Sequence, residues 1–189
     1  MAARKGWGMA RGGVVEAVRE KVRETIERTE HLMAMAPSGR LDWRPHVEAG
    51  ARTDAAAQAI DLGQLLGHLL TCVAGFCAAF YAAYPEKLRE FEELRALRVD
   101  HFCTPEETKK QIAIYAAAIE KGFACCQEED LGRKVKTVFV PEGETLMTLL
   151  LGNLEHLMNH KYQLFFYLKM LGVKVGTQDL YRLRRASRA

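Results

Sequence analysis

The sequence predicts an all-α protein built as a single bundle, and three observations carry that reading. Apolar residues recur in long segments at the 3.6-residue period of a buried helix face, two helix starts are marked by reciprocal capping residues, and only one short stretch alternates like a strand. With 189 residues, 49% of them hydrophobic, the chain can bury a core of its own.

In chain order, residues 1–13, with Gly6, Gly8, Gly12 and Gly13, read as a flexible leader. From Val14 to about Ala36, Val15, Val18, Val22, Ile26, Leu32 and Met33 mark one face of a helix that Pro37 ends. His31, in its last turn, reads as a favourable positive charge at the carbonyl end rather than as a ligand. Residues 37–59 form a polar connection in which Leu41-Asp-Trp-Arg-Pro45 stands out, and Trp43 is expected to cap the core or line a pocket rim. Asp61-Leu-Gly-Gln64 is a capping box: the aspartate accepts from a first-turn amide while Gln64 reaches back. The helix it opens carries Leu62, Leu65, Leu66, Leu69, Val73, Phe76 and Phe80 until Tyr84-Pro85 breaks it, and the charged Glu86–Leu97 reads as a solvated helix.

Thr104-Pro105-Glu106-Glu107 repeats the start signal, with Pro at the first helical position, and leads through Ile112, Tyr115, Ile119 and Phe123. Lys134–Val140 alternates around Val135, Thr137 and Phe139, which suits a short extended segment or a lone strand and is too little for a sheet domain. The longest helix runs from about Thr145 to Leu171 and is closed by Gly172. The bundle is therefore assigned to residues 14–175 and a basic tail to 176–189.

The formal charge of +3 comes from the ends. Without Arg4, Lys5, Arg11, Arg182, Arg184, Arg185 and Arg188, 20 of the 27 basic residues face 24 acidic ones. A mildly acidic body argues against nucleic-acid binding, which needs a basic face. The five cysteines, Cys72, Cys77, Cys103, Cys125 and Cys126, lack the spacing of a disulfide scaffold and are read as reduced, in the cytoplasm. The adjacent Cys125 and Cys126 suggest a redox pair, although vicinal cysteines bridge poorly. The N-terminus lacks a signal-peptide core, and no run is expected to reach the length and apolarity of a membrane span.

The anomaly is polar. On the last helix the inward row is read as Leu149, Asn153, His156, His160, Gln163 and Tyr167, and so many nitrogens and oxygens on a core face require a purpose. His156 and His160 are four residues apart, so they stack on one face and can grip one ion. His68 sits far upstream in another apolar helix, with Gln64 one turn before it and Cys72 one turn after. Three imidazoles leave a coordination position open and favour zinc or nickel, with iron, copper and cobalt as alternatives because imidazole discriminates poorly among first-row ions. Cys72 has two readings, a thiolate ligand beside His68 or a small buried hydrophobe. Gln64, Asn153 and Gln163 are candidates to orient the rings, and Tyr167 to line the cleft. His46 and His101, on loops, are undistinguished.

The motifs Leu41-Asp-Trp-Arg-Pro45, Asp61-Leu-Gly-Gln-Leu-Leu-Gly-His68, His156-Leu-Met-Asn-His160-Lys-Tyr-Gln163 and Leu168-Lys-Met-Leu-Gly172 together resemble the DinB/YfiT-like family in order and spacing over roughly residues 14–175. The resemblance implies a four-helix bundle with long crossing connections, often a homodimer, whose metal triad falls on His68, His156 and His160. Some relatives are thiol-S-transferases using bacillithiol or mycothiol, or isomerases, and many have no known activity.

Two functions follow. One is a metal-dependent transferase or hydrolase in which a low-molecular-weight thiol or water attacks a small electrophile, and the other is a metal- or ligand-binding, stress-related bundle without turnover. A structural reading, with the histidines as satisfied core residues, stands beside them. No catalytic base can be named, because Glu155 next to His156 is turned about 100° away.

Overall fold

The structure, a computed structural model, describes residues 13–46, 60–96, 102–137 and 140–181. Four long helices form it: α1 (Val14–Ala34), α2 (Leu62–Ala83), α4 (Pro105–Cys125) and α5 (Leu146–Met170), with short helices α3 (Phe91–Ala96) and α6 (Thr177–Leu180). α2 packs against α4 and α5, and α1 packs against the same two from the other side. Consecutive α1 and α2 are thus diagonal neighbours, as are α4 and α5, so two connections cross the bundle. This is the all-α bundle with long crossing connections that the sequence led us to expect.

The start of α2 shows how local sequence builds this arrangement. Its first two amides donate to the carbonyls of Trp43 and Leu41, at 2.9 and 2.8 Å, and the third donates to Asp61 Oδ1 at 2.8 Å. In return the Asp61 amide donates to Gln64 Oε1 at 3.0 Å, and Arg44 lies 3.6 Å from the same carboxylate. Amides that would otherwise be orphaned are all satisfied, and the Leu41–Pro45 motif is pinned to α2 in the process. Asp61→Ala should cost about 1 kcal/mol, lowering the melting temperature by roughly 2–4 °C in a calorimetric scan. The matching box at Thr104, Pro105 and Glu107 opens α4, and Gly172, at φ +79°, follows the end of α5.

Several expectations are corrected. α2 is long and apolar enough to cross a membrane, contrary to the sequence reading; here most of it is buried inside the bundle, which is how a core helix behaves. Glu86–Leu97 is not a continuous solvated helix: a turn leads into the short α3, because Leu88 and Phe91 are buried and pull the segment onto the core. Lys134–Val135 (β1) is not a lone strand, since it pairs antiparallel with Glu144–Thr145 (β2). Packing also continues beyond residue 175. The Lys161 ammonium, 4% exposed, donates to the Leu180 carbonyl at 3.1 Å, and His31 Nε2 meets Asp179 Oδ1 at 2.8 Å. From the last turn of α1, where the sequence placed it, His31 therefore also holds α6 by a side-chain bond. The leader (residues 1–12), Val138, Phe139, His101 and the tail beyond Tyr181 lie outside the described residues.

Candidate metal centre

The pairing of α2 with α5 is antiparallel: the Tyr167 hydroxyl reaches the Ile60 carbonyl, His68 meets His156 and His160, and Asn153 lies against Gly75. A Cβ on Gly75 would come within 2.9 Å of Asn153 Oδ1, so the bare backbone lets the helices approach there. Each helix contributes two side chains one turn apart, His68 and Cys72 from α2 and His156 and His160 from α5. One donor atom from each of the four lies within 4.8 Å of every other. The imidazole centroids are 4.2 Å apart for His68 and His160, 4.9 Å for His156 and His160, and 5.3 Å for His68 and His156.

The histidine row is not the core face of α5. Leu146, Leu150, Leu154, Leu157, Leu164 and Leu168 are the buried stripe, and the row with Asn153, His156, His160 and Gln163 lies roughly 100° around the helix, in the seam with α2. The seam grades from dry to wet: Cys72 is buried, His68 and His160 are half-buried, and His156 is exposed. Partial desolvation against the seam, and then the neighbouring His160, holds the His156 imidazole below its ordinary pKa, which favours the neutral form a metal needs. Burial pushes the Cys72 thiol up to about 12.

The orientation of His160 is set by a relay that begins at a backbone atom. The Ile60 carbonyl can only accept, so the Tyr167 hydroxyl donates to it at 3.0 Å. The Tyr167 oxygen then accepts from Gln163 Nε2 at 3.2 Å, which turns Gln163 Oε1 toward His160 Nδ1 at 2.8 Å. Nδ1 must carry the proton, and the lone pair is left on Nε2, free for a ligand. Trp43 supports the relay edge to face on Tyr167, with centroids 5.3 Å apart.

Of the ring-orienting candidates, Gln163 bonds a histidine. Gln64 is committed to the cap of α2, and the Asn153 carboxamide lies on Gly75. Tyr167 is a buried link in the relay. His46, Cys77, Cys103, Cys125 and Cys126 are outside the cluster, and all five cysteines are free thiols. Ile60 was missed because a main-chain carbonyl leaves no mark in a sequence.

No family model matches the chain, and neither does any curated protein. Solved structures do. A DinB-like protein from Bacillus subtilis superposes with a TM-score of 0.63 at 15% identity, over 88% of this chain and 99% of that one. A point mutant of mycothiol-dependent maleylpyruvate isomerase superposes with a TM-score of 0.50 at 12% identity, over 88% of this chain and 64% of that one. The fold is accordingly DinB-like, and the chain corresponds to less than two thirds of the isomerase. Within that fold, His68, Cys72, His156 and His160 form a group able to hold a metal ion.

Proposed function

We propose that the chain is a DinB-like protein in which His68, His156 and His160 bind one divalent ion, zinc or nickel, and that it transfers a low-molecular-weight thiol, or water, to a small electrophile. The observation that carries this is the convergence of donor atoms from two helices within 4.8 Å. Bonds of about 2.0–2.3 Å to a shared ion place tetrahedral ligand atoms roughly 3.3–3.7 Å apart, so only about an ångström of closure is required. A divalent ion supplies Lewis acidity, which makes a thiol or water a better nucleophile at neutral pH.

The chain's own residues supply the remainder. Gln163 and Tyr167 hold His160 with Nε2 unprotonated, His156 presents the cluster's exposed edge to solvent, and Cys72, with its raised pKa, is a poor nucleophile. The mycothiol dependence of the superposed isomerase supports a thiol as the co-substrate class. The second reading, a non-catalytic metal-binding bundle, is favoured by one feature: the four clustered donors include no carboxylate, and Glu155 beside them is exposed, so the cluster itself supplies no carboxylate base.

Elemental analysis of protein purified without a nickel column tests the premise, with about one equivalent of zinc or nickel expected per chain. Absence of bound metal, together with no heat of binding for either ion, would sink both readings. With metal present, consumption of mycothiol or bacillithiol with a panel of small electrophiles separates enzyme from binding protein. Five free thiols suit a reducing cytoplasm. For the homodimer, Leu151, Met158, Tyr162, Phe166 and Met170, exposed along α5 away from the site, supply a candidate apolar face. Phe166→Glu should convert a dimer to monomer in light scattering, and an unchanged dimer would exclude that face.

A further inference from the structure

We propose that Cys72 is a fourth ligand, so that the ion sits in a closed shell of three imidazoles and one thiolate with no permanently vacant position; this rests on the reading that the three histidines hold an ion. The geometry is that of two one-turn pairs, His68 with Cys72 and His156 with His160, facing each other across antiparallel helices. Two such pairs supply four corners around a common point, and the Cys72 sulfur is one of the four mutually close donor atoms.

The contrast with Cys77 sharpens the assignment. Both are buried on α2, but the Cys77 thiol turns to α4 and donates to the Tyr115 carbonyl at 3.8 Å, whereas Cys72 turns to the histidines. Cys72 is 3% exposed and His156 is exposed, so the sulfur closes the protein side of the cluster while imidazoles form its outer side. Three nitrogens and a sulfur are a tetrahedral zinc-type donor set, and a soft thiolate biases the site against magnesium, calcium and manganese. Binding exchanges the thiol proton, released to solvent, for the metal–sulfur bond, with no change of oxidation state. An external thiol then requires expansion to five ligands or exchange with Cys72.

Cobalt(II) is the probe. Protein loaded with one equivalent and freed of excess should show visible ligand-field bands, which report the bound ion, and a near-ultraviolet thiolate-to-cobalt charge-transfer band, which reports the sulfur. Cys72→Ala and Cys72→Ser should lose the charge-transfer band and bind cobalt at least about 10-fold more weakly, since a direct ligand should matter no less than an outer partner. Cys125→Ala, outside the cluster, should keep both, with circular dichroism confirming that each variant is folded. Cobalt bound without a charge-transfer band, or a band that survives in both Cys72 variants, overturns the fourth ligand and leaves the histidine site standing. No cobalt retained by the unaltered protein overturns the histidine site, and this inference with it.

Discussion

His156→Ala is expected to abolish the stabilisation by zinc or nickel while leaving the metal-free protein almost unchanged. The separation follows from where this residue sits: its side chain is exposed at the outer edge of the α2–α5 seam, so truncation leaves no core cavity and should change metal-free stability by no more than about 0.5 kcal/mol. An ion at a hundred times its dissociation constant stabilises the native state by about 2.7 kcal/mol. For a chain of this size that is a rise in melting temperature of roughly 5–10 °C. The unaltered protein should show that rise with zinc or nickel, and His156→Ala should show almost none at the same concentration. A variant that still melts higher with the ion would remove His156 from the site.

The parts of this molecule that were legible in its sequence are those governed by neighbours along the chain. Asp61 with Gln64, and Thr104 with Glu107, cap α2 and α4 as their spacing demands, because the atoms that satisfy a first-turn amide belong to residues within one turn. The one-turn spacing of His156 and His160 likewise guarantees their adjacency on any helix. What the sequence left open depends on which helices meet and at what rotation. Cys72 could be placed on the face of His68, but whether that face meets the histidines of α5 or the apolar side of α4 is decided by packing. The same limit applies to the core face of α5: leucines and aromatics on more than one side of the helix offer two overlapping stripes, and only packing decides which of them faces the core. Lys161 can lie in the buried stripe because α6 brings a carbonyl to it, and His31 meets Asp179 by the same folding back.

Tyr167→Phe should weaken metal binding about 10- to 100-fold, although Tyr167 is not one of the clustered donors. In the native relay, the acceptor-only Ile60 carbonyl fixes the direction of every later bond: hydroxyl to carbonyl, carboxamide NH2 to hydroxyl oxygen, imidazole Nδ1–H to carboxamide oxygen. Removing the hydroxyl leaves the carbonyl without that donor, at a cost of about 1–3 kcal/mol in stability. It also frees Gln163 to turn its NH2 toward His160, which would shift the imidazole proton to Nε2 and occupy the lone pair the ion requires. Purely mechanical support would predict the stability loss without the affinity loss. Gln163→Glu in the Tyr167→Phe background decides between them, because a carboxylate can only accept and should hold the proton on Nδ1 without help from the hydroxyl. Calorimetric titration should find zinc affinity largely restored in the double variant while its melting temperature stays low, and nitrogen chemical shifts of His160 in the metal-free protein should report the proton on Nδ1 in the native and double variants. An affinity that follows melting temperature across all three proteins would reduce the relay to packing.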